Sequence, residues 1–487
     1  MVTEDFNSRR VVKTVHSFGV NVTQNDSDVV FSFESALDRK SIGRYQFFIF
    51  FLCFICLVFD GYDAYAMAYV APLLRVDLAL NHSSIGQAFS ASLVGMFVGA
   101  IVLSPIADIL GRRKVTVAAL LVSGLSMLAS AKAQIFGELF IARALTGFGL
   151  GVILPNALSI CAEFAPSKRR FLTVMLVSLG MSAGGAIGGP VAALLISSSG
   201  WRGVFVAGGL ASIMVAFCMA FWMPESLNFL IRREGNLSTS AQRIAVKVFG
   251  PGIAASLTPF SAPASTKGAP FLELFAHRRT LQTLCIWAIA FCNLLCLYLL
   301  ASWLPILCQE AGLGYRDAAL ATSVMQIGGL AGVLLLGSLA RRTNPKLVLL
   351  VGYVIGAAAI YAVVPTLHMG IGPLAVATFV AGTSIIGGQA GIQAVGLDLY
   401  PQAVHSTGMG WALGVGRLGS VCGPILAGEL MMRGLSTQSV VNLGAIAALI
   451  GGISTGFLFL LDIRLRRNQR VTTVTENNQR AMIRTHT

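Results

Sequence analysis

Twelve apolar stretches of about 19 to 27 residues recur along this chain, each long enough to cross ~30 Å of hydrocarbon as a helix. They fall near 45–71, 85–107, 114–132, 138–160, 171–196 and 203–223, then near 281–307, 318–340, 346–365, 372–396, 407–429 and 440–462. Backbone polar groups in lipid must be satisfied internally, which leaves helices and closed barrels; runs of this length without strict alternation select helices. Composition agrees, since 55% of the 487 residues are hydrophobic and 11% charged, against roughly 25% charged in an ordinary soluble domain. A soluble enzyme and a disordered chain are excluded. So is a disulfide scaffold, because the nine Cys are sparse and lie in apolar runs. The expected class is an all-α membrane protein with twelve transmembrane helices.

Lys and Arg in the loops set the orientation. With a cytoplasmic N-terminus, 28 of them fall on the inner side and 5 (Arg75, Lys132, Arg202, Arg316, Arg433) on the outer side. Both termini are therefore expected inside. The same asymmetry accounts for the net charge of +14: it marks cytoplasmic faces held against anionic lipid, with no nucleic acid partner. Residues 1–44 read as a cytoplasmic tail, 45–223 as a first six-helix bundle, 224–280 as a cytoplasmic linker loop (Ser-, Pro- and Gly-rich from Asn236 to Pro270), 281–463 as a second six-helix bundle, and 464–487 as a C-terminal tail.

The two bundles carry an internal repeat. Ser104-Pro-Ile-Ala-Asp108 before Gly111-Arg112-Arg113-Lys114 matches Gly337-Ser-Leu-Ala-Arg341-Arg342 before Lys346 at an offset of 233. Pro166 and Arg170 match Pro401 and His405 at 235, and Gly189-Pro190 matches Gly423-Pro424 at 234. Duplicated parallel halves suit a carrier whose substrate sits between them near the bilayer midplane.

These motifs carry a resemblance. Ser104-Pro-Ile-Ala-Asp108-Ile-Leu-Gly111-Arg112-Arg113-Lys114 resembles the loop 2–3 signature of the major facilitator superfamily, with Ser for the usual leading Gly. Arg143-Ala-Leu-Thr-Gly147-Phe-Gly149-Leu-Gly151 resembles its fourth-helix pattern. Asp60-Gly61-Tyr62-Asp63 and Gly414-Val-Gly416-Arg417-Leu-Gly419 are similar to motifs of the aromatic acid:proton symporter branch. That resemblance implies import of a hydroxybenzoate- or benzoate-like carboxylate with a proton, at the inner membrane, by alternating access. Tyr400-Pro401 followed by His405 departs from the branch, which usually has Arg at the last position.

The residues themselves support such chemistry. Asp60 and Asp63 lie mid-span on one face of a helix, and a carboxylate at that depth costs about 2.5–3.5 kcal/mol on insertion scales, so it faces a cavity or carries function. Two neighbouring carboxylates disfavour simultaneous ionisation, which makes the pair the expected proton-coupling site; inert cavity-wall acids are the alternative. Arg417, mid-span in the eleventh stretch, needs an anion: either a permanent Asp partner or a substrate carboxylate, whose planar geometry suits it. Asn156, Asn293, Tyr298, Trp303, Gln326, Gln389 and Gln393 are further substrate-binding candidates, as is Ser178; interhelical hydrogen bonding is the alternative for each.

Conformational gating is expected of Asp108, Gly111, Arg112 and Arg113 at an inner corner, of Glu163, Arg341 and His405, and of Arg143, structural or coupling. Gly184, Gly185, Gly188 and Gly189 give the fifth span a smooth face. Cys53-x-x-Cys56 reads as core packing, the six His show no HxxxH spacing, and no Walker lysine occurs. No metal, no cofactor and no enzymatic constellation are expected; the driving force is the proton gradient and the working unit a monomer. The rival readings are a sugar or drug porter, suggested by Pro224-Glu225-Ser226 and the fifth-span glycines, and a sensor that binds aromatic acids without transport.

Overall fold

The computed structural model describes residues 33–234, 239–250, 271–276, 279–400 and 402–485. These residues form helices and connecting turns, with no strand among them. Ten helices among the described residues are long and apolar enough to cross a bilayer. Their sides are apolar nearly all round, as expected where one face meets protein and the other lipid.

A short α1 (Phe33–Arg39) leads into α2 (Arg44–Asp77), α3 (His82–Leu110), α4 (Arg112–Lys132), α5 (Phe136–Phe164) and α6 (Ser167–Trp222). Corners are cut by specific residues. The Asn81 side chain accepts from Ser84 N at 2.8 Å to start α3. Gly111, at φ 106°, turns α3 into α4. The 56-residue α6 breaks at Gly200 (φ 64°, ψ −168°), a conformation open essentially only to glycine, which divides it into limbs 167–199 and 201–222.

After α7 (Leu227–Glu234), α8 (Thr239–Phe249) and a 3-10 turn at Phe271–Phe275 come α9 (Thr280–Glu310), α10 (Tyr315–Arg342), α11 (Pro345–Leu367), α12 (Ile371–Leu399), α13 (Gln402–Met432) and α14 (Thr437–Thr485). The stretch 236–270, read above as linker, thus holds a helix. Ala241, Ile244, Ala245, Val248 and Phe249 bury one stripe of α8 at helical spacing. Lys40 Nζ donates to the Val248 carbonyl at 3.1 Å near its C-terminus, where a cation is favourable.

Packing repeats between the two groups of long helices. In the first, α2 lies on α6, α3 on α5, and α4 on both α5 and α6. In the second, α9 lies on α13, α10 on α12, and α11 on both α12 and α14. The groups meet through α3 with α13 and α6 with α10. Small residues make the close approaches. A Cβ at Gly61 would strike the Met181 carbonyl, and one at Gly189 would strike Ser323 and the Ala319 carbonyl across the group boundary.

Candidate functional site

Asp60 and Asp63 project from the middle of α2, each about 1% exposed. Gly61 between them lets the backbone of α6 press against α2, so the carboxylates are held among helices. Asp63 Oδ2 accepts from Ser212 Oγ at 2.8 Å. Its backbone carbonyl accepts from Arg143 Nη2 at 3.2 Å. Arg143 is fully buried, donates from Nε to Ser92 Oγ at 3.1 Å, and lies 5.5 Å from the centre of the Phe205 ring. Arg143 therefore meets α2 at the Asp63 carbonyl, with its guanidinium and the Asp63 carboxylate outside ion-pair distance. Among the described residues neither oxygen of Asp60 has a hydrogen-bond partner.

Arg417 reaches across from α13 to α3, where Nη1 donates to Met96 Sδ at 2.6 Å. Sulfur is a weak, neutral acceptor, and no carboxylate among the described residues forms an ion pair with this guanidinium. Asp60 and Tyr298 both lie within electrostatic reach of it. Between the groups, Tyr65, Phe89, Ser92, Met96, Tyr298 and Ser302 help to line a cavity of about 20 Å³, room for roughly one water molecule. A six-membered ring needs more room than that.

The remaining candidates fall in different places. Gln326 is fully buried on α10 with its amide beside Tyr65, and among the described residues neither amide atom has a partner at full hydrogen-bond geometry. Asn293 accepts from Tyr353 Oη at 3.0 Å inside the second group. Asn156 donates to Thr116 Oγ1 at 3.1 Å, and Ser178 to its own helix at Met175 O. Gln389 is half-buried and Gln393 exposed. Trp303 donates from Nε1 to Pro424 O at 3.2 Å, stacks on His82 at 6.2 Å and meets Phe89 edge-on at 6.0 Å. It serves a contact between the groups at the end away from the basic loops. There Arg75 Nη1 donates to Glu310 Oε1 at 2.9 Å, and His82 Nε2 lies 2.6 Å from that guanidinium and 2.9 Å from the same oxygen.

At the basic end, Arg112 pairs with Glu163 at 2.8 Å and with Asp108 at 3.3 Å, and donates to Ser159. Glu225 Oε1 accepts from Arg113 N at 2.9 Å over Gly111, where a side chain would collide with that carboxylate. Lys346 repeats the device in the second group with Asp398 at 2.5 Å and Asp462 at 3.3 Å. Arg341 lies 4.7 Å over the Phe171 ring, joining α10 to α6. His405 falls in the first turn of α13, with its side chain outside the described residues, as is Pro401.

Sequence reasoning missed Ser92, Met96, Ser212, Glu225, Glu310, Asp398 and Asp462. For Asp398 a signal existed: it stands 235 positions after Glu163, as Lys346 stands 234 after Arg112. For Ser212 and Met96 none existed, because a neutral residue in an apolar run does not announce its partner.

Comparison with known proteins places this arrangement. Residues 53–424 match the model of the Major Facilitator Superfamily. The chain is 34% identical over 450 residues to the gallate transporter of Pseudomonas putida, covering 91% of this chain and 98% of that protein. It is 32% identical over 445 residues to the 4-hydroxybenzoate transporter PcaK of the same organism, covering 90% and 99%. With the 3-(3-hydroxy-phenyl)propionate transporter of Escherichia coli it shares 31% over 410 residues, covering 84% and 92%. Its fold is similar to that of the xylose transporter XylE from E. coli in a partially occluded inward-open conformation, with TM-score 0.66, 17% identity, and coverage of 84% of this chain and 98% of that one. A bacterial homologue of the lysosomal transporter Spinster gives TM-score 0.65 at 17% identity, covering 86% and 97%. The chain is thus a multi-pass inner-membrane protein and not an enzyme, and it belongs to the major facilitator superfamily, within its group of aromatic acid transporters.

Proposed function

We propose that this protein imports an aromatic carboxylate of the hydroxybenzoate type together with a proton. Twelve passes, with both termini and the basic end in the cytoplasm, give two six-helix bodies, 45–223 and 281–463, that rock about a central site; a monomer suffices. The observation that carries the reading is the pairing of vacancies at the boundary between the bodies. Among the described residues the Arg417 guanidinium hydrogen-bonds only a thioether, and the buried Asp60 carboxylate accepts no hydrogen bond. An unpaired guanidinium there is a receptor for a carboxylate. An unpaired, desolvated carboxylate is stabilised by binding a proton, because a buried charge without a donor costs several kcal/mol.

In the cycle, the outer contact of Arg75, His82, Glu310 and Trp303 opens. Asp60 and Asp63 take up a proton, and the acid enters with its carboxylate on Arg417. With those charges neutralised, the outer contact re-forms and the inner end opens, releasing acid and proton to the cytoplasm. Acid and proton therefore favour the occluded arrangement over the open ones, the differential affinity that a population shift requires. The energy source is the proton gradient, with no cofactor.

The test is uptake into proteoliposomes under an imposed pH gradient, with Asp60→Asn and Asp63→Asn beside the wild type. Each variant should lose gradient-driven accumulation while still exchanging labelled for unlabelled acid. Full accumulation in both would reject the proton-site role.

A further inference from the structure

We propose that Gln326, on α10 opposite Tyr65 of α2, recognises a ring hydroxyl of the carried acid and so selects hydroxylated over unsubstituted aromatic carboxylates. This deepens the import reading above and rests on it. Gln326 is 0% exposed; Tyr65 is a hydrogen-bonding neighbour of its amide, but among the described residues neither amide atom has a partner at full hydrogen-bond geometry. A buried polar group without a well-formed partner is costly, so packing alone explains this residue poorly.

The neighbourhood is built for polar recognition. Ser323, three positions earlier on the same face of α10, likewise has a buried hydroxyl without a partner at full hydrogen-bond geometry among the described residues. Gln326 stands by Tyr65 and Ser323 by Tyr69. Gly185 of α6 lies in the angle between Tyr65 and Gln326: a Cβ there would come within 2.8 Å of Tyr65 Cδ2 and 2.9 Å of Gln326 Cγ. The missing side chain lets α6 close directly onto Tyr65 and Gln326.

The line of groups also has a direction. Tyr65 interacts electrostatically with Tyr298 and Asp60, and Tyr298 with Arg417. A planar acid with its carboxylate on Arg417 then lies between the Tyr298 and Tyr65 rings with its far edge toward Gln326. A phenolic hydroxyl donates and accepts, and a primary amide offers both functions in return. An acid with a bare ring edge would leave the amide unpaired, which is the situation in which a polar site discriminates strongly.

The experiment measures uptake of radiolabelled 4-hydroxybenzoate, 3,4,5-trihydroxybenzoate and benzoate into proteoliposomes, for wild type, Gln326→Leu and Gln326→Asn. The wild type should prefer the hydroxylated acids, and Gln326→Leu should weaken them by about 10- to 100-fold while changing benzoate by less than about threefold. Gln326→Asn, which keeps the amide on a shorter stem, should retain part of the preference. An equal loss for all three acids would make Gln326 a packing residue and overturn the assignment, as would a preference that survives in Gln326→Leu. Wild-type protein that carries none of the three would overturn the import reading itself and this inference with it.

Discussion

Replacing Arg417 separates substrate recognition from scaffold stability, because among the described residues its guanidinium hydrogen-bonds only the Met96 sulfur. Among the described residues no carboxylate loses an ion pair when the guanidinium goes, so Arg417→Gln should fold. The cost falls on the ligand. Two charge-assisted hydrogen bonds at about 1.5 kcal/mol or more each give roughly 3 kcal/mol for a bidentate carboxylate. Arg417 is half-buried, which keeps the lower figure for each bond appropriate. At 1.4 kcal/mol per decade, affinity should fall about 100-fold in Arg417→Gln. Arg417→Lys keeps the charge and loses the fork, so a loss of about tenfold is expected. The assay is equilibrium binding of labelled 4-hydroxybenzoate to detergent-purified protein, with its methyl ester as the uncharged control. The acid should lose its advantage over the ester in Arg417→Gln. An unchanged affinity for the acid, or a parallel loss for acid and ester, would refute the reasoning and leave Arg417 as a contact between α13 and α3.

Two further outcomes follow from the packing. Glu310→Gln removes the carboxylate shared by Arg75 and His82; the groups are about 30% exposed, so about 0.5–1 kcal/mol is at stake. That amounts to a two- to fivefold shift toward separation of that end, read as a longer distance between spin labels on the exposed Asn81 and Arg316; an unchanged distance distribution would deny the contact a gating role. Gly61→Ala forces a methyl group against the Met181 carbonyl, and overpacking of this kind costs about 1–3 kcal/mol. Its melting temperature should drop clearly while Gly410→Ala, with nothing within 4 Å of the added carbon, melts as the wild type; equal melting of all three proteins would contradict the close packing of α2 on α6.

Membrane class and helix content were legible because they depend on local properties: run length, hydropathy and the price of an unsatisfied backbone in lipid. The repeat was legible in part. Its clearest structural expression, Arg112 with Glu163 and Lys346 with Asp398, joins the start of one helix to the end of the next, and the offset that relates the two pairs is visible once the pairing is known. The amphipathic stripe of Thr239–Phe249 was present in the residues, but Ser, Gly and Pro on either side of it outweighed the five apolar positions. Trp303 and Asn156 show where one-dimensional reasoning stops. Both are polar-tipped residues in apolar runs, yet one closes a contact between the helix groups and the other ties α5 to α4.

By itself, then, the order of residues determined that this chain spans a membrane repeatedly, that its positive charge gathers at one end, and that Asp60, Asp63 and Arg417 sit at a depth where charge is costly. Which of these charges is satisfied was decided only in three dimensions. Ser212 lies 149 positions from the Asp63 carboxylate it binds, Arg143 is 80 positions from the Asp63 carbonyl, and Met96 is 321 from Arg417. Partners so distant in sequence are chosen by how helices cross, and crossing depends on where glycines allow backbones to touch. The same packing left the buried Asp60 and Gln326 side chains without a well-formed hydrogen bond among the described residues, and that is the physical basis of the recognition proposed for this carrier.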